Sequence, residues 1–300
     1  RSFGITTEVR RWFPSGHCAI HPWHGCPHQG QSGTVDCLPR VEAFPQRLNH
    51  HRSAASLTEA LAERLEHQLR RPMRRPLGLA TGRTMEPLYA ALVKRLRRWS
   101  TEDLEALRRR WLSFNLDEYC GLDRADPRNY RQFMVRHLGE PLQLPIDALQ
   151  LPDGAATDPT TAAAEYRSAL QRAGGIGVQL LGLGNNGHVG FNEPPCRADQ
   201  ACHAVVLSEE TRQQNAGLFG GDPARVPAKA ITLGLQDILA AEEIHLVVTG
   251  PAKAEVLQRL ITLPAPDPGL PASWLQGHPN VWLWADQAAL PTVDRLAQVR

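Results

Sequence analysis

Three hundred residues with a formal net charge of +2 and 42% hydrophobic side chains suffice for a sizeable buried core. That balance excludes a chain that holds nucleic acid or an anionic membrane by charge alone. No run of eighteen apolar residues is present, which excludes a transmembrane helix of the usual kind, and the N-terminal residues lack the basic-then-apolar order of a secretory signal. Cysteines stand at Cys18, Cys26, Cys37, Cys120, Cys196 and Cys202 without paired C-x-x-C spacing, so free thiols in a reducing cytoplasm are expected. Positive charge is almost entirely arginine; lysine occurs only at Lys94, Lys229 and Lys253.

Residues 1–39 mix Gly, Pro, Trp, His and Cys without periodicity and read as an irregular, disordered leader to one α/β domain spanning 40–300. His17, Cys18, His21, His24, Cys26 and His28 crowd together there, but no zinc-finger spacing emerges and no metal site is assigned. Val41–Phe44 is a short strand candidate. Apolar residues at 54, 57, 61 and 65 predict an amphipathic helix over Ser53–Arg70. The following cluster, Arg70-Arg-Pro-Met-Arg-Arg75, could touch nucleic acid, but in a near-neutral chain a solvated connection is the plainer reading.

Gly78-Leu-Ala-Thr-Gly-Arg-Thr-Met-Glu-Pro87 reads as a strand ending in a turn that opens a helix reaching Trp99. A helix N-terminus exposes unpaired N–H groups, so Thr81, Gly82, Arg83 and Thr84 are candidate binders of an anion such as phosphate. An ordinary turn between strand and helix would look similar. Trp111–Asn115 reads as a buried strand, with Asp117 and Glu118 where it meets its loop. One of the two acids can face a pocket while the other caps or pairs, or both are solvated. Asp126–His137 is expected to be a helix capped by Asp126 with Pro127 in its first turn. Helices follow at 161–173, 209–215 and 252–260, and strands at 204–207, 243–249 and 281–284, with a mobile Gly/Pro-rich segment at 217–226. This alternation predicts a doubly wound, mostly parallel α/β sheet in a single domain.

The most informative stretch is Val178-Gln-Leu-Leu-Gly-Leu-Gly-Asn-Asn-Gly-His-Val-Gly-Phe-Asn-Glu-Pro-Pro195. It opens as a buried strand and breaks into a glycine-rich loop carrying His188, with Asn186 just before it and Glu193 just after. An imidazole near a carboxylate at the mouth of a strand suits proton transfer. Gly182–Gly187 also matches G-x-G-x-x-G, but Gly190, Pro194 and Pro195 would break the helix a dinucleotide requires.

Three of these segments, Gly78–Thr84, Asn115–Leu122 and Leu181–Pro194, resemble the glucosamine-6-phosphate deaminase family. Further likeness continues through Glu209–Asn215, Val226–Gly234 and Gly250–Ala254. The resemblance implies the Rossmann-like fold shared with 6-phosphogluconolactonases and conversion of glucosamine 6-phosphate and water to fructose 6-phosphate and ammonia. It further implies that Asp117 is the base moving a proton from C2 to C1, and that His188 opens the ring. Glu193 would hold and tune His188, with Asn186 as third relay member. The implied partner is a small sugar phosphate, with no cofactor, no nucleic acid and no membrane; a homo-oligomer is left open.

The chain also departs from that pattern. Asn186 replaces an aspartate found in some members, and Arg83 stands where glycine is usual. The family's phosphate-binding arginine and lysine fall on Gly217 and Ala228. Lys229 is the neighbouring candidate for substrate binding, although on a regular strand it would face away. Basic positions used for allosteric activation in some members fall on His203 and Val205, so no activation by an N-acetylated sugar phosphate is expected. The alternatives are a 6-phosphogluconolactonase-like hydrolase and a non-enzymatic sugar-phosphate sensor.

Overall fold

The computed structural model describes residues 44–45, 47–72 and 74–290. The leader, its His/Cys cluster and most of the Val41–Phe44 strand candidate therefore lie outside the described residues. The strands are β1 (Arg47–His51), β2 (Leu77–Leu79), β3 (Ser113–Asn115), β4 (Asp117–Tyr119), β5 (Leu149–Gln150), β6 (Val178–Gly182), β7 (His203–Val206), β8 (Lys229–Thr232), β9 (Glu243–Val248) and β10 (Val281–Asp286). The α-helices are α1 (Ala54–Leu69), α2 (Met85–Leu96), α3 (Thr101–Arg110), α4 (Tyr130–Met134), α5 (Glu140–Leu142), α6 (Pro159–Arg172), α7 (Glu209–Asn215), α8 (Leu235–Leu239) and α9 (Ala254–Thr262). Among the described residues no helix is long and apolar enough to cross a membrane.

Seven strands form one wholly parallel sheet in the order β1-β10-β9-β6-β2-β3-β5. Its central members carry nearly continuous apolar runs, as expected of strands covered on both faces. In β9, Ile244, Leu246, Val247 and Val248 are all buried. The chain builds outward from β2 through β3 to β5, then returns to β6 and builds the other way through β9 and β10. The order reverses between β2 and β6, and ligands of open α/β sheets bind beyond the strand ends at such a reversal. The loops leaving β2 and β6 are those that carry Thr81–Thr84 and His188.

α1 shows how a local pattern sets packing. Ser53 caps it by accepting from the Ser56 N–H, and Leu57, Leu61, Leu65 and Leu69 bury one stripe that packs against α2, β1 and β10. The basic connection after α1 is mostly exposed, and Arg75 pairs with Glu242 at 3.2 Å.

Several expectations need correction. Asp117–Tyr119 is a strand, not a loop: it leaves the parallel sheet after Leu116 and joins a separate antiparallel sheet in the order β4-β8-β7. Leu116 stitches the two sheets, donating its N–H to the Leu79 carbonyl and accepting from the Leu233 N–H. The helix expected from Asp126 begins only at Tyr130, because the Asp126 carboxylate is taken up by the Arg128 backbone and guanidinium, while Asn129 caps the helix by accepting from the Gln132 N–H. Within 217–226, Phe219 and Val226 are buried. β1, β5 and α8 had no clear sequence signal.

Candidate active site

A cavity of about 800 Å³ opens where the order of the parallel strands reverses. Thr81, Gly82, Arg83 and Thr84 line it from the β2–α2 turn, Asp117 from the start of β4, and His188 and Gly190 from the loop after β6. Asn186 and Glu193 are not on the lining.

Asp117 is 6% exposed. Burial, with the neighbouring charge of Glu118, pushes its carboxyl up to about 8. Glu118 turns away: its oxygens accept from the N–H groups of Tyr119, Tyr130 and Arg131 at 2.8–2.9 Å. Two of those donors open α4, so one acid faces the cavity while the other holds a helix start. Beneath them Tyr119 packs on Tyr130 and Phe191, with centroids 4.7 and 5.6 Å away, and edge-on to Phe219 at 5.5 Å. That aromatic group braces β4 against both the glycine loop and the 216–219 turn.

Glycines bring the loop this close. A Cβ on Gly184 would lie 2.3 Å from the His188 ring, so the imidazole can lie on that residue only because it has no side chain. Gly190 has φ +58°, and a Cβ there would sit 3.5 Å from the Asp117 carboxylate, which places the loop backbone beside the acid. The glycines are followed by a tight turn in which Val189 bridges Asn192. No helix follows, so the loop is not a dinucleotide motif.

The tautomer of His188 follows from its neighbours. Asn186 Oδ1 lies 3.2 Å from the His188 backbone N–H and 2.7 Å from Nδ1. An amide oxygen only accepts, so Nδ1 carries the proton and Nε2 keeps its lone pair. Burial lowers the imidazole to about 4, Lys253 adds to that shift and Glu193 opposes it. The ring is therefore neutral at pH 7. Glu193 does not hold the ring, as had been expected; its carboxylate accepts from Ser208 N and Ser208 Oγ, both at 3.0 Å. Its influence on His188 is that of a nearby charge, while Asn186 does the orienting.

The family model for glucosamine-6-phosphate isomerases/6-phosphogluconolactonase matches residues 49–284. The chain belongs to that family. It is 41% identical over 218 residues to a glucosamine-6-phosphate deaminase of Oceanobacillus iheyensis, covering 73% of this chain and 84% of that protein. A solved monomeric glucosamine-6-phosphate deaminase superposes with a TM-score of 0.74 at 31% identity, covering 85% of this chain and all of that one. A 6-phosphogluconolactonase from Leishmania guyanensis reaches a TM-score of 0.64 at 20% identity, over 83% of this chain and 99% of its own, and shares the fold alone. Within the family the chain stands with the deaminases.

The cations on the cavity differ from those expected from the sequence. Lys229, expected among the substrate-binding residues, is exposed on β8 and does not line the cavity. Thr232 faces the glycine loop from β8, accepting from the Phe191 N–H at 3.2 Å, and strand alternation turns Lys229 the other way. Lys253, to which the sequence reading gave no role, does line the cavity and donates to Asn185 Oδ1 at 2.5 Å. Its only sequence signal was its place in Gly250–Ala254.

Proposed function

We propose that this protein converts glucosamine 6-phosphate and water to fructose 6-phosphate and ammonia. The observation that carries the reading is the placement of Asp117 and His188 on one cavity, with His188 neutral and its Nε2 able to accept a proton. Nε2 of neutral His188 accepts the proton of the C1 hydroxyl and returns one to the ring oxygen, which opens the pyranose to an aldehyde. The C2–H bond, acidified by that carbonyl, then gives its proton to Asp117, and the enolate oxygen takes a proton from the C2 ammonium, leaving an enol with a neutral amine on C2. Asp117 delivers the proton to C1, forming a C2 imine; water adds to it, ammonia leaves and the ketose remains.

The raised Asp117 carboxyl fits this sequence. In the empty site it holds a proton, and the positive amino group of an arriving hexosamine favours the carboxylate at the moment a base is needed. Protons move between the side chains and the substrate, and the step requires no external oxidant or reductant. We place the protein in the cytoplasm, where its free thiols at Cys120, Cys196 and Cys202 remain reduced.

The test is ammonia release from glucosamine 6-phosphate by the wild-type chain and by Asp117→Asn. Turnover that survives in the variant removes Asp117 from the role of base. Hydrolysis of 6-phosphogluconolactone without ammonia release from the amino sugar would move the protein to the lactonase branch.

A further inference from the structure

The catalytic cavity lies beyond the C-terminal ends of the parallel strands. A separate cleft of about 150 Å³ opens at their N-terminal ends. Leu77, the first residue of β2, and Leu112, just ahead of β3, both line it. Those strands deliver Thr81–Thr84 and Asp117 beyond their other ends, so the length of the strands separates the two openings. The last turns of α1 and α3 and the residue after α6 close the cleft through Leu69, Leu107 and Ala173.

Its floor is apolar. Leu69, Leu77, Leu107 and Trp111 are buried, and the Trp111 Nε1–H is spent on Ser113 Oγ at 3.2 Å. An apolar space of this size takes a group as large as benzene. The rim is cationic, with Arg74, Arg75 and Arg110, and no carboxylate lines the cleft. Two of the three have evident structural tasks. Arg110 ends α3, where a cation complements the helix dipole, and it donates to the Leu69 carbonyl at the end of α1. Arg75 makes a surface pair with Glu242 at 3.2 Å. Arg74 has no such task. It lies beyond the end of α1 and is exposed, and its side chain makes no hydrogen bond or ion pair with any described residue. A guanidinium is a fork shaped for a carboxylate.

We propose that this cleft binds a small acid with a single-ring apolar body, the ring on Leu77, Leu107 and Trp111 and the carboxylate on Arg74 and Arg110. Cations over an apolar floor are complementary to a ligand that is apolar at one end and anionic at the other. A polyanion such as nucleic acid would use the charges and make no use of the floor, and the near-neutral chain offers it little else. The site is independent of the reaction proposed above.

Calorimetric titration of the full chain with phenylacetate tests it, with the catalytic cavity blocked by glucitol 6-phosphate, an analogue of the substrate that cannot react. Phenylacetate should bind about 10- to 100-fold more tightly than acetate, which lacks the ring, and than benzyl alcohol, which lacks the charge. Arg74→Met should weaken phenylacetate about tenfold and leave ammonia release from glucosamine 6-phosphate unchanged. Ala173→Leu, which fills the cleft from the end of α6, should abolish phenylacetate binding without lowering the melting temperature. Phenylacetate bound equally by the wild type and both variants would overturn the proposal, as would acetate bound as tightly as phenylacetate. So would a single-stranded oligonucleotide that binds the wild type, weakens in Arg74→Met and is untouched by Ala173→Leu while phenylacetate fails to bind, since the arginines would then serve a polyanion. The two substitutions locate the site whether or not glucitol 6-phosphate binds, so failure of the deaminase reading would leave this test intact.

Discussion

Two pairs of residues on the cavity, Asp117 with His188 and Arg83 with Lys253, are built by different means. The first two are 6% and 9% exposed, and each is fixed by close neighbours: Asp117 by strand pairing with Thr232, His188 by Asn186 and the bare face of Gly184. The two cations come from opposite ends of the described chain, are more exposed and have no carboxylate partner among the described residues. Proton transfer needs tuned pKa values and a geometry that does not reorganise, which burial and local bonding provide. Holding an anion needs charge in the right region, which tolerates a change in which residues supply it.

The sharpest way to break the contrast is at the buried pair. Asp117→Asn should lower ammonia release by about 10²–10⁴-fold, the range of general acid–base contributions, while glucitol 6-phosphate binding, measured by calorimetry, stays near wild type. His188→Gln should cost about 10²-fold with the closed-ring substrate. If His188 serves ring opening alone, most of that loss disappears in stopped-flow mixing with freshly generated open-chain aldehyde.

The pH profile discriminates next. A base acts only when deprotonated, and Asp117 in the empty site is pushed up to about 8. kcat/KM, which reports the free enzyme, should therefore climb about tenfold per pH unit below that value and level off above it. In kcat, which reports the complex, the rise should fall at lower pH because the bound amine favours the carboxylate.

Gly184→Ala tests packing rather than charge. The new methyl overlaps the imidazole, so the ring must move, and a destabilisation of about 1–3 kcal/mol is expected from overpacking, read by denaturant melts alongside activity. Asn186→Asp should have the smallest effect: a carboxylate beside Nδ1 raises the imidazole from its value of about 4, and the shift is read from NMR titration of the ring.

What could be read from the sequence follows the same division. The parallel sheet was legible because buried strands and amphipathic helices carry their period locally, as in α1 and β9. Asp117 and His188 were legible because each lies in a compact motif at a strand end. The strand character of Asp117–Tyr119 was not, since it depends on pairing with β8 far along the chain. Lys253 was missed for the same reason: its place on the cavity depends on a fold that brings α9 to the β2–α2 turn. Lys229 shows the converse, a lysine near the right motif that alternation turns away.

Asn185 and Asn186 are consecutive, yet each holds a different residue of the cavity. Asn185 Oδ1 takes the Lys253 ammonium, and Asn186 Oδ1 takes Nδ1 of His188. Their Cα atoms are about 3.8 Å apart, joined by a planar peptide that barely flexes. The loop is therefore a mechanical linkage as well as a cradle. A substitution that shifts this one peptide therefore disturbs the Lys253 and His188 contacts together.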